Sequence, residues 1–120
     1  MARKPSTASD ASTASRRTVH RVRLTPKAVI DLDGIADYTR REHGDRQCAA
    51  YLDDLQDRFA RLRELPVLER ACDQVRRGLC SQKQGRHVIF YLHDGPGVLI
   101  VRVLHERMDA ERHEFPKGDE

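Results

Sequence analysis

The chain lacks the cysteine pattern of a disulfide scaffold or a zinc module. Cys48, Cys72 and Cys80 are odd in number and show no Cys-x-x-Cys spacing. They read as reduced residues of a cytosolic protein, with Cys48 on a core stripe, and no metal site or cofactor is expected. No apolar run approaches the roughly 20 residues that cross a bilayer. No hydrophobic segment of the secretory kind stands near residue 1. A cytoplasmic protein without membrane contact is the expectation. A basic body is missing as well. The formal net charge is +3, but Arg3, Lys4, Arg16 and Arg17 against Asp10 account for all of it, and the remaining residues carry equal numbers of acidic and basic side chains. A general nucleic-acid-binding domain would show a basic body.

What is present fits a single small domain. With 120 residues, 38% hydrophobic and 34% charged, the chain can build a thin core under a large wet surface. Residues 1–18, mostly Ala, Ser and Thr, have no apolar periodicity and are expected to be disordered. They read as a variable extension, or as a start codon assigned too far upstream, rather than as an arm that touches DNA. A domain over residues 19–115 and a flexible tail over 116–120 complete the expected organisation.

Val19 to Leu24 alternates as a short strand would. Thr25-Pro26 supplies an N-cap followed by proline at the first helical position. Ala28, Leu32, Ile35 and Thr39 then share one helical face up to Gly44, a natural C-cap. A second helix starts at Asp45 with the stripe Cys48, Leu52, Leu55, Phe59, Leu62, and Pro66 stops it. Pro66 to Gln74 reads as loop, and Val75 to Ser81 as a strand interrupted by Gly78. Two runs rich in β-branched and aromatic residues flank Asp94-Gly95-Pro96-Gly97, a strong hairpin signal. The fold class is therefore α+β, in the order β-α-α-β-β-β, with a helical hairpin on a small, mostly antiparallel sheet.

A hairpin register pairing His93 with Val98 places Val88, Phe90 and Leu92 on one face with Leu99, Val101 and Val103. This face is wholly apolar and is expected to meet the helices, since a one-residue slip would put Arg102 on it. The other face would carry His87, Ile89, Tyr91, Ile100, Arg102 and Leu104. It is too apolar for a solvated surface and reads as a partner-binding site. The same register sets Arg86 beside His105, with Arg107, Arg112 and His113 close by in sequence. Arginine with histidine can bind phosphate and shuttle protons, so a ribonuclease site is conceivable, although no carboxylate or tyrosine clearly converges on them.

The words Gly85-Arg86-His87-Val88-Ile89-Phe90-Tyr91 and Arg102-Val103-Leu104-His105-Glu106-Arg107-Met108-Asp109 resemble the end of the ParE toxins, of the RelE/ParE superfamily of bacterial toxin–antitoxin systems. Leu24-Thr25-Pro26, Ala50-Tyr51-Leu52, Leu65-Pro66 and Arg76-Arg77-Gly78-Leu79 extend the resemblance over most of residues 19–113. It implies a RelE/ParE-like fold and a toxin that arrests growth by inhibiting DNA gyrase through protein contact, in a system of the plasmid-stabilising kind. It also implies a ParD-like antitoxin, through which alone operator DNA would be reached. The resemblance supplies no map of target contacts; Arg86, His105, Arg107, Met108 and Asp109 are the expected ones because they cluster where the last strand exits. Ile89, Tyr91, Ile100, Arg102 and Leu104 are the expected antitoxin contacts.

Two alternatives accompany it. One is a decayed toxin that only binds its antitoxin. The other is a RelE-like ribosome-dependent endoribonuclease working through Arg86, His105, Arg107 and His113. RelE-type enzymes carry lysines where this chain has residues near Gly78 and Cys80, and a C-terminal tyrosine where it has His113. Their first arginine aligns with His87, one place after Arg86, and their second with Arg107. The missing lysines and tyrosine count against this type of cleavage, so the chain is read as a gyrase inhibitor more than as an enzyme.

Overall fold

The computed structural model describes residues 21–108. The proposed extension over 1–18, the tail over 116–120, and Asp109, Arg112 and His113 lie outside the described residues. Within them a five-stranded sheet runs in the order β1-β5-β4-β3-β2, made of β1 (Val22–Leu24), β2 (Arg70–Ala71), β3 (Cys80–Gln84), β4 (His87–Asp94) and β5 (Gly97–His105). Only β1 pairs in parallel, against β5. The helices α1 (Pro26–His43) and α2 (Asp45–Arg61) pack as an antiparallel hairpin against the sheet.

The helix ends form where the sequence places them. Thr25 Oγ1 accepts from the Ala28 N–H at 3.1 Å and also donates to the Val101 carbonyl at 2.8 Å, so one hydroxyl caps α1 and ties it to β5. Gly44, at φ 89°, closes α1 and admits α2 directly. Cys48, Leu55, Phe59 and Leu62 are buried as the stripe requires. Beyond Arg61 the chain tightens into two short 3-10 turns, Leu62–Glu64 and Pro66–Leu68.

Three expectations are corrected. Val75 to Leu79 is a turn, not strand. Asp73 Oδ1 accepts the Gly78 N–H at 2.9 Å, and strand structure begins only at Cys80. The two-residue β2 is an extra strand, so the order of elements becomes β-α-α-β-β-β-β. The third correction concerns the hairpin. Near its turn the register is as read, with His93 opposite Val98 and Leu92 opposite Leu99. A bulge then leaves Val101 without a partner: Tyr91 pairs with Ile100, but Phe90 pairs with Arg102.

The faces are also the reverse of the expectation. Ile89, Tyr91, Val98, Ile100 and Val103 form the core under the helices with Ala28, Ile35, Leu55 and Phe59. Phe90, Leu99, Val101 and Leu104 lie in a second cluster with Cys72 and Leu79. The supposed antitoxin face is thus not a surface. Ile89, Tyr91 and Ile100 are fully buried, Leu104 is buried in the second cluster, and Arg102 is held by Asp31 of α1. Alternation fixes which side chains share a face, but with both faces apolar it cannot say which one receives the helices.

Candidate interaction site

Where the hairpin opens, away from its turn, the end of the sheet meets α1 and the start of α2. Two adjoining clefts of about 590 and 640 Å³ meet here and share Tyr38, His87 and His105. The first runs between α1 and the end of β5, along Ile30, Gly34, Tyr38 and Met108. Ile30, Gly34 and Tyr38 recur every four residues and therefore line one stripe of α1. Ile30 is 66%, Tyr38 57% and Met108 50% exposed, an unusual concentration of apolar surface in a domain with so little core. The second cleft reaches past His43 and Gln47 of the helices to Tyr51 and Arg86.

Its floor is a hydrogen-bonded knot. The Tyr51 hydroxyl donates to the Gln84 carbonyl at 3.0 Å and accepts from the Arg86 N–H at 3.3 Å, while His87 Nδ1 lies 2.7 Å from it. With the hydroxyl proton on Gln84, His87 supplies the proton of that third contact from Nδ1. Gly85 makes the approach possible. It sits at φ 60°, and a Cβ there would stand 2.7 Å from the Tyr51 ring. Burial raises the Tyr51 pKa above its ordinary value. Burial, and then the neighbouring His105, lowers that of His87. The two imidazoles meet edge to face, centroids 5.4 Å apart.

Because of the bulge, His105 pairs with His87 rather than standing beside Arg86, and the Arg86 carbonyl instead accepts the Glu106 N–H at 2.9 Å. His105 Nδ1 accepts the Arg107 N–H at 3.1 Å. Lys83 Nζ lies 2.6 Å from the Glu106 carboxylate and, as the leading cause, holds its pKa below the usual range. Arg86, His105 and Met108 therefore line the clefts, and Arg107 is exposed on the turn beside them. Tyr38 and Tyr51 were missed as site residues, and His87 was expected only on the supposed partner-binding face. A tyrosine does converge on the arginine–histidine group, contrary to the sequence reading. It comes from α2, more than 30 residues away along the chain, so no local spacing could reveal it. Chemically, the group presents cationic and aromatic contact surface. Its half-buried tyrosine and histidine are already committed to each other and to backbone.

Similarity to known proteins was consistent along the chain. The family model for the ParE toxin of the type II toxin–antitoxin system parDE matches residues 22–110. Toxin ParE1 of Mycobacterium tuberculosis is 40% identical over 91 residues, which cover 75% of this chain and 93% of the relative. Toxin ParE of Escherichia coli is 37% identical over 87 residues, 72% of this chain and 84% of the relative. Among solved structures, a chain of the chromosomal ParDE system from P. aeruginosa superposes with a TM-score of 0.57 at 17% identity, covering 70% of this chain and 92% of that one. A chain of the RelBE2 toxin–antitoxin complex from Mycobacterium tuberculosis gives 0.50 at 25% identity, covering 72% and 96%.

Proposed function

The chain belongs to the ParE toxin family of type II toxin–antitoxin systems, and from that premise we propose that it inhibits DNA gyrase by protein contact and is neutralised by a ParD-like antitoxin. The observation that carries the proposal is the character of the cleft end of the sheet. Arg86, His105, Arg107 and Met108 ring an open, cationic and partly apolar mouth. Tyr51 and His87 beneath it are spent on backbone and on each other rather than poised over a substrate. Such a surface suits docking better than proton transfer. Asp109, next in sequence after Met108, belongs to the same proposed target contact.

The antitoxin is assigned the apolar strip of Ile30, Gly34, Tyr38 and Met108, in place of the sheet face that proves to be core. This strip is the largest exposed apolar feature bordering the clefts. A segment with apolar side chains at matching spacing would cover it. Operator DNA is reached only through that antitoxin.

The convergence of Arg86, His87 and His105 on one cleft favours a second reading, RNA cleavage on the ribosome. One experiment separates the two. Purified full-length chain should block gyrase supercoiling and leave ribosome-bound messenger RNA intact. Cleavage of the messenger with supercoiling unaffected would reverse the assignment, and neither effect would leave a toxin that only binds its antitoxin.

A further inference from the structure

Away from the clefts, the sheet register brings together three side chains that neither reading uses. Ala71 pairs with Cys80, and Cys80 with Tyr91, so these three share a face. Glu69 lies two residues before Ala71 and His93 two residues after Tyr91, so a period of two returns both to that face. The carboxylate, the thiol and the imidazole each offer an atom, and these atoms all lie within 4.8 Å of one another. Glu69 Oε1 accepts the Tyr91 hydroxyl at 2.6 Å and the His93 Nε2 proton at 2.8 Å, while the Cys80 thiol beside them donates to the Gly78 carbonyl at 3.7 Å.

We infer that Glu69, Cys80 and His93 form a binding site for a single borderline-soft divalent cation of the zinc type. The sulfur, nitrogen and oxygen ligand atoms lie close enough to share one ion, which would stand in place of the thiol proton and of the His93 proton now on the carboxylate. A mixed sulfur, nitrogen and oxygen set selects zinc over magnesium or calcium, which take oxygen ligands. Three protein ligands leave a fourth position for water. The His93 side chain is 40% exposed, which gives the ion an approach from solvent.

The proton balance identifies a competitor. Arg63 Nη1 donates to His93 Nδ1, so the ring proton sits on Nε2. When the ion binds, the Cys80 thiol releases its proton to solvent. His93 shifts its proton from Nε2 to Nδ1, which frees the Nε2 lone pair for the metal. An Nδ1–H cannot face the Arg63 N–H, so the exposed Arg63 side chain must turn away. The Gly97 carbonyl, already 3.4 Å from Nη1, is there to receive it. Arg63 therefore opposes the ion both by charge and by holding the wrong tautomer.

The test uses the untagged full-length chain, stripped with a chelator, then titrated with zinc by calorimetry and with cobalt(II) by absorption. One equivalent should bind, and cobalt should show a thiolate charge-transfer band that Cys80→Ser abolishes. Glu69→Gln and His93→Gln should weaken affinity by about ten-fold or more. Arg63→Ala, which removes no ligand, should tighten it, and this keeps the test decisive even if Cys80→Ser unfolds. Absence of saturable one-equivalent binding, a cobalt spectrum without the sulfur band, or an Arg63→Ala affinity no tighter than wild type would each overturn the site.

Discussion

Asp31 on α1 grips Arg102 on β5 with both carboxylate oxygens, each at 2.8 Å, and its Oδ2 also accepts the Val103 N–H at 3.0 Å. Both side chains are only 12% exposed. β1 pairs with β5 only from Val98 to Ile100, so beyond that point the edge of β5 has no strand beside it among the described residues. Asp31 takes the place of a neighbouring strand and at the same time forms one wall of the Ile30–Tyr38 cleft. Asp31→Ala should cost about 2–3 kcal/mol, because it takes a bidentate carboxylate from a nearly buried guanidinium and the acceptor from a backbone N–H. Chemical denaturation measures this. A loss under 1 kcal/mol would mean that water replaces the carboxylate freely.

The His87 pKa is lowered by burial, so the folded protein binds that proton less readily than the unfolded chain. The stability it contributes is present above the ordinary value of 6.5 and is lost as pH falls below it, through the lowered folded pKa. Thermal unfolding midpoints should therefore drop between neutral pH and the acid side of 6.5, and the drop should be smaller in His87→Gln. Glu69 and Glu106 also have lowered values, Glu69 because hydrogen bonds from Tyr91 and His93 outweigh the opposing effect of its burial. Their contributions are lost only below 4.5, so the histidine window stands apart. A parallel pH profile in the variant would remove His87 from the account.

Ile30→Asp places a charge on the exposed apolar strip without touching the core. It should leave the melting temperature of the free toxin within a few degrees of wild type. Antitoxin binding, followed by calorimetry, should weaken by about ten-fold or more, as truncation of a central apolar anchor does. Unchanged affinity would move the antitoxin elsewhere on the surface.

Arg86→Ala combined with Arg107→Ala should relieve inhibition of supercoiling, and the filamentation that accompanies it, while circular dichroism stays native. Both side chains are exposed, so little stability is at stake. Full inhibition by the double variant would exclude these two residues from the target contact.

The sequence alone determined the elements with strong local chemistry. The Thr25-Pro26 start, the Gly44 junction, the Cys48–Leu62 stripe and the turn at Gly95-Pro96 depend on caps, periodicity and turn residues within a few positions of one another. The word order along the chain was enough to reach the family. Of the strand Cys80–Gln84 only Cys80 and Ser81 fell within the expected one, because Gln-Lys-Gln carries no apolar alternation. The segment is a strand because β4 pairs with all five of its residues. Only the tertiary structure decided which face of the hairpin became core. Both faces are apolar, and the choice rests on long-range partners: Tyr91 reaches Glu69 and Gln82, and His87 reaches Tyr51. The bulge at Val101 then turned Val103 toward the helices and set His105 against His87. The clefts and the Glu69–Cys80–His93 group have the same origin. Each is assembled from side chains that are distant in sequence and adjacent only through strand register, which local spacing does not encode.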